Sequence, residues 1–148
     1  MYRQKRIGLN GKEFDILKFL SMVENADKIG SYQTSYADER VTRVGSFLRR
    51  TSLDELPQLV NVLKGDMSIV GPRPDVPAQR KLYSDAEWSK RTSVRPGITG
   101  LAQATLRSAA IPDQRVALDL NYVEQASLLF GLKVLLLTVR QVLGKGSF

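Results

Sequence analysis

Between residues 71 and 100 the chain carries two proline-braced segments, Gly71-Pro72-Arg73-Pro74 and Val94-Arg95-Pro96-Gly97-Ile98-Thr99-Gly100. Proline fixes φ, lacks an amide hydrogen and restricts the residue before it, so no long helix or central strand can run through the first. The second reads as another Pro/Gly loop. The middle of the chain is thereby confined to short elements joined by stiff loops, each displaying an arginine, Arg73 or Arg95. Two such loops in one chain of 148 residues point to recognition of an anion.

On either side the pattern supports regular structure. Lys5, Ile7 and Leu9 alternate, and Asn10-Gly11 stands before Glu13-Phe14-Asp15-Ile16-Leu17-Lys18-Phe19, which predicts a β-hairpin closed by a tight type I′ turn. Residues 23–37 are polar and aperiodic and read as a loop. From Asp38, Val41, Val44, Phe47 and Leu48 make a narrow helical stripe, with Arg40, Arg43 and Arg50 on another side. Ser52 and Glu55 have the spacing of a capping box, so a helix is expected to begin at Asp54-Glu55. Leu56, Leu59, Val60 and Leu63 form its stripe, and Lys64-Gly65 stops it. Met67 to Val70 reads as a short strand, residues 76–90 as weakly helical, and residues 114–125 and 128–143 as helices. The expected class is α+β: an N-terminal hairpin and short strands, with mostly amphipathic helices in one domain over residues 1–148.

Composition removes many chemistries. There is no cysteine and no histidine, which excludes disulfides, thiolate and imidazole metal sites, and nucleophiles activated by histidine. Catalysis would fall to carboxylates, lysine, arginine, tyrosine, hydroxyls and an oxygen-bound cation. A formal charge of +7 favours anionic partners: nucleic acid, phosphorylated small molecules or a membrane surface. The most apolar stretch, residues 128–139, is too short to span a bilayer and contains Gly131 and Lys133.

The pair Asp54-Glu55, preceded by Arg49-Arg50 and followed by the two arginine loops, is the best candidate for chemistry. At a helix start both phosphate oxygens and ionised carboxylates are stabilised. An ionised aspartate can attack phosphorus while a neighbouring glutamate holds a divalent cation. On pattern alone the same acids could simply cap a helix, Arg73 and Arg95 could tie loops to carbonyls, and Lys18 could snorkel at a strand end.

The run from Val44-Gly45-Ser46-Phe47-Leu48-Arg49-Arg50-Thr51-Ser52-Leu53-Asp54-Glu55-Leu56-Pro57-Gln58-Leu59 through Asn61-Val62-Leu63-Lys64-Gly65-Asp66-Met67-Ser68-Ile69-Val70-Gly71-Pro72-Arg73-Pro74 resembles the bacterial sugar transferases, monotopic polyprenyl-phosphate phosphoglycosyl transferases. Arg3 to Gly11, Lys18-Phe19, Val94 to Gly100 with Gln103, and Leu118-Asp119 with Tyr122-Val123 extend the likeness over nearly the whole chain. The resemblance implies transfer of a sugar-1-phosphate from a UDP-sugar to undecaprenyl phosphate, with release of UMP through a phosphosugar-aspartyl intermediate. It implies Asp54 as nucleophile, Glu55 as catalytic partner and Mg²⁺ ligand, and Lys18, Arg49, Arg73, Arg95 and Asp119 as substrate-binding candidates. It also implies a place at the cytoplasmic face of the bacterial inner membrane, on an anionic lipid surface, at the start of glycan or exopolysaccharide synthesis.

The chain departs from the family pattern at Leu20, where an arginine is common, at Gly131, where an aspartate is common, and over residues 104–108, which leaves the sugar unspecified. The family's re-entrant membrane helix would precede Met1 and is expected to be lacking here, leaving apolar surface through which copies could self-associate. Two rivals follow: a catalytically silent relative that binds membrane or a pathway partner, and a basic nucleic-acid module built on the Arg40, Arg43 and Arg50 face. The second has charge as its only support, and no nucleic-acid partner is expected.

Overall fold

The computed structural model describes residues 1–23, 25–26, 38–106 and 112–144. Strands β1 (Tyr2–Ile7) and β2 (Glu13–Lys18) form an antiparallel hairpin in which Ile7 pairs with Glu13. That register leaves residues 8–12 between the strands, so the two-residue turn expected from Asn10-Gly11 is replaced by a longer loop. Asn10 (φ 55°) and Gly11 (φ 76°) both lie in the left-handed region the dipeptide tolerates, and Gly8 N–H closes the loop on the Lys12 carbonyl at 2.7 Å.

Helix α1 (Arg43–Arg50) starts later than the periodicity from Asp38 predicts, because the Thr42 hydroxyl accepts from Gly45 N–H at 2.9 Å and caps it. Arg40 therefore stands before the helix, held on Asp38 and the Ala26 carbonyl, and does not share a face with Arg43 and Arg50. Most of the segment read as a polar loop, residues 23–37, lies outside the described residues.

After α1 the chain reverses at Ser52 (φ 56°), makes a 3-10 turn over Leu53–Glu55 and enters α2 (Gln58–Lys64), which ends at Gly65 (φ 84°). The expected capping box is not formed: Ser52 makes no side-chain cap, and the Glu55 carboxylate turns toward two cations described below. The same Ser-x-x-Glu spacing at Ser84 and Glu87 does form one, at the start of α3 (Asp85–Thr92).

Strand β3 (Ser68–Val70) pairs in parallel with β4 (Gly97–Thr99). Part of the second proline segment, read from sequence as loop, is thus a strand. Its partner is distant in sequence, and a Cβ on Gly97 would fall 2.1 Å from Gly71 N, so glycine permits the approach. Helices α4 (Leu101–Thr105), α5 (Pro112–Gln125) and α6 (Leu128–Gly144) complete an α+β fold. One apolar cluster joins Phe14 and Ile16 of the hairpin to Met67, Val62 and Ile98. Another joins Val70 to Tyr122 and Val134, flanked by Leu101, Phe130 and Leu135. No described helix is long and apolar enough to cross a membrane.

Candidate active site

Helix α2 is amphipathic in the reverse sense to its sequence stripe. Its buried residues are Gln58 and Asn61, while Leu59, Val60 and Leu63 are exposed, Leu63 to 87%. Asn61 explains the inversion. Its side-chain oxygen accepts from Leu17 N–H at 3.0 Å and its amide donates to the Asp15 carbonyl at 2.8 Å, so a fully buried amide replaces a strand partner at the free edge of β2. Phe19 N–H then donates to the Asp54 carbonyl at 2.9 Å. These bonds on either side of Lys18 fix the end of β2 against the Leu53–Glu55 turn.

Lys18 Nζ lies 2.9 Å from Glu55 Oε1, and Arg73 Nη2 reaches the same oxygen at 3.0 Å from the first proline loop. Glu55 thus carries two cations on one oxygen. Burial alone would raise its pKa, but Arg73 and Lys18 outweigh it and hold the carboxyl down to about 2. Burial, reinforced by the like charge of Arg73, lowers the Lys18 pKa against the pull of Glu55. Glu55 in turn raises that of Arg73.

Asp54 differs sharply from its neighbour. It is 7% exposed, and its carboxylate has no hydrogen bond or ion pair among the described residues. Burial raises its pKa, opposed chiefly by Lys18. A buried carboxylate with both oxygens uncommitted, beside two cations engaged elsewhere, can present a lone pair to an electrophile.

Of the remaining sequence candidates, Arg49 is close enough to act electrostatically on Asp54, and its Nε donates to Ser21 Oγ at 2.9 Å. Arg95 is exposed and bonded to the Gly65 carbonyl at 2.8 Å, apart from the carboxylate pair. Asp119 is 1% exposed and lies against Arg91 at 2.9 Å. The structure therefore gathers Lys18, Asp54, Glu55 and Arg73, with Arg49 nearby, and sets Arg95 and Asp119 elsewhere. Sequence reasoning missed Asn61, Arg6, Asp75 and Arg91. Gln58 and Asn61, polar residues three apart in an otherwise leucine-rich helix, were the available signal for a helix facing the wrong way.

Among the described residues no three acidic, histidine or cysteine side chains cluster as a metal site. Asp54 and Glu55 do offer uncommitted carboxylate oxygens, and Mg²⁺ is commonly held by one or two carboxylates together with substrate phosphates. The donor set is compatible with that mode of binding.

Residues 1–145 match the family model described as bacterial sugar transferase. The chain belongs to the bacterial sugar transferase family. Within that family it is 45% identical to a UDP-glucose:undecaprenyl-phosphate glucose-1-phosphate transferase of Caulobacter vibrioides, across 97% of this chain and 56% of that protein. It is 44% identical to the uncharacterized sugar transferase EpsL of Bacillus subtilis, across 96% of this chain and 69% of the relative. It is also 44% identical to the exopolysaccharide production protein ExoY of Sinorhizobium fredii, across 99% and 72%. The chain spans a little over half the length of the Caulobacter relative and about seven tenths of the other two.

Proposed function

We propose that this bacterial sugar transferase moves a sugar-1-phosphate from a UDP-sugar to undecaprenyl phosphate, releasing UMP, as an early step in exopolysaccharide or other surface-glycan synthesis. The observation that carries the reading is the asymmetry of the pair: Asp54 buried with a carboxylate free among the described residues, Glu55 clamped by Lys18 and Arg73. In the first step a carboxylate oxygen of Asp54 attacks the phosphorus bonded to the sugar. The bond from that phosphorus to the bridging oxygen breaks, and UMP leaves with the electron pair. In the second step a phosphate oxygen of the polyprenyl carrier attacks the same phosphorus, the bond to Asp54 breaks, and the carboxylate is restored. Lys18, Arg49 and Arg73 compensate phosphate charge as it gathers at the attacked centre. Glu55 would hold Mg²⁺, which when bound neutralises the diphosphate.

The acceptor places this reaction at a membrane. Leu53, Leu56, Leu59 and Leu63 are exposed along the turn that carries the carboxylates and the helix that follows it, and Phe47 and the basic residues Arg43 and Arg50 are exposed on α1. Such a surface suits the headgroup level of an anionic bilayer, at the cytoplasmic face where nucleotide sugars are available. The test is UMP release with undecaprenyl phosphate, Mg²⁺ and a panel of UDP-sugars. Asp54→Asn should abolish release, and normal turnover by that variant would overturn the nucleophile assignment.

A further inference from the structure

We infer that Arg91 is a positioning residue, which locks the Pro72-Arg73-Pro74 loop so that Arg73 reaches Glu55. The role in transfer rests on the function proposed above; the geometry does not. Pro72 and Pro74 have no amide hydrogen, so this loop cannot tie itself down through its own donors at those positions and must be held by its carbonyls. Four successive carbonyls are held in that way, the first being that of Pro72, which accepts from Gly97 N–H at 3.0 Å. Arg91 Nη2 donates to that of Arg73 at 2.6 Å, Arg6 Nη1 to that of Pro74 at 3.0 Å, and Ile7 N–H to that of Asp75 at 2.9 Å.

Arg91 itself is 4% exposed and engaged on every side. Nη1 lies 2.8 Å from Asp75, Nη2 and Nε lie 2.9 and 3.0 Å from Asp119, and the guanidinium sits 5.2 Å from the centre of the Tyr83 ring. Asp75, fully buried, also receives the Tyr83 hydroxyl at 2.6 Å and Arg115 at 3.2 Å. Two aspartates face two arginines in direct contact, and Arg6 adds a further cation within electrostatic range of Asp75. Apolar residues could fill such a volume with equal or greater stability. What they could not do is grip a backbone carbonyl from a fixed fork. A guanidinium supplies donors in set directions to several acceptors at once, whereas a lysine ammonium is a single point.

Two measurements test this. In protein labelled with ¹⁵N-arginine, with signals assigned from Arg73→Lys and Arg49→Lys, guanidinium N–H exchange with water should be slow for Arg73 in the parent. Arg91→Lys should speed it by about tenfold or more while leaving Arg49 unchanged, because local opening governs exchange. Arg91→Gln combined with Asp119→Asn removes one charge of each sign and serves if the single variant does not fold. Unchanged Arg73 exchange in a folded variant overturns the inference, whether or not the chain turns over. On turnover, Arg91→Lys should lower kcat/KM by about 10- to 100-fold, the usual penalty for a displacement near 1 Å. In an Arg73→Ala background the same change should cost less than about threefold, because the two residues act as one unit. Equal losses in both backgrounds would show that Arg91 acts by another route. Absence of turnover in the parent would count against the proposed function alone, since the exchange measurement reads the positioning directly.

Discussion

Replacing Glu55 with glutamine perturbs the site at its most heavily loaded atom. The carboxyl is held at about 2 against an ordinary 4.5, a difference equivalent to about 3 kcal/mol of folded-state stability at neutral pH. Glu55→Gln forfeits that amount and leaves Lys18 and Arg73 partly buried without their shared anion. One offset exists: the Glu55 charge contributes to raising the Asp54 pKa, and its loss relieves that repulsion. The melting temperature at pH 7 should therefore fall by on the order of 10 °C, at 2–4 °C per kcal/mol for a chain of this size. Glu55 titrates lower in the folded chain than in the unfolded one. Its contribution is thus complete above pH 4.5, shrinks as the pH drops, and is gone below about pH 2. Chemical-denaturant unfolding of parent and variant at pH 7, 5, 4 and 3 should show the gap closing toward acid. Asp54 titrates in the opposite sense and is present in both proteins, so only the part of its shift that Glu55 causes enters the difference. A gap below about 1 kcal/mol at pH 7, or one independent of pH, would refute the view that Lys18 and Arg73 stabilise an ionised Glu55.

Other consequences can be checked alongside. A Cβ on Gly45 would lie 1.8 Å from the Ser21 carbonyl oxygen, a backbone atom that cannot rotate away, so Gly45→Ala should cost about 3 kcal/mol in denaturant unfolding. Arg95 is exposed and, among the described residues, bonded only to the Gly65 carbonyl, so Arg95→Ala should leave both Tm and UMP release nearly unchanged, within about 0.5 kcal/mol in stability. A large loss of turnover would return Arg95 to the site. Leu63→Glu should leave the fold intact, since Leu63 is 87% exposed, while weakening binding to anionic liposomes by roughly tenfold, measured by co-sedimentation.

The hairpin, α1, α2 and the two C-terminal helices were legible because each rests on local pattern: alternation, a 3.6-residue stripe, or a glycine stop. The hairpin turn and the start of α1 departed from expectation through local bonds, Gly8 to Lys12 and Gly45 to Thr42, whereas three larger departures involve a partner distant in sequence. Glu55 left its capping box because Lys18 and Arg73, from β2 and the proline loop, compete for its carboxylate. Gly97–Thr99 became a strand because β3 lies beside it. Helix α2 reversed because Asn61 found the unpaired edge of β2. The likeness to a family pointed to Asp54 and Glu55 and to the loop carrying Arg73. It offered no hint that Asp119 belongs with Arg91 and Asp75, since a buried ion cluster has no sequence period.

The two adjacent carboxylates show why neighbours in sequence need not share a role. Both occupy one short turn, both are screened from water, and both feel Lys18, Arg49 or Arg73. The difference arises from where the cations are anchored. Lys18 is fixed by backbone bonds on each side of it, and Arg73 by a loop whose carbonyls are held one after another, and both converge on Glu55 Oε1. Glu55 is thereby driven firmly to the ionised state, while Asp54 keeps a free carboxylate whose charge is resisted by burial. Environments that push two acids apart are the usual way a site divides its tasks. Here the division follows from loop anchoring more than from the carboxylates themselves, so moving the anchors should blur it even with Asp54 and Glu55 in place.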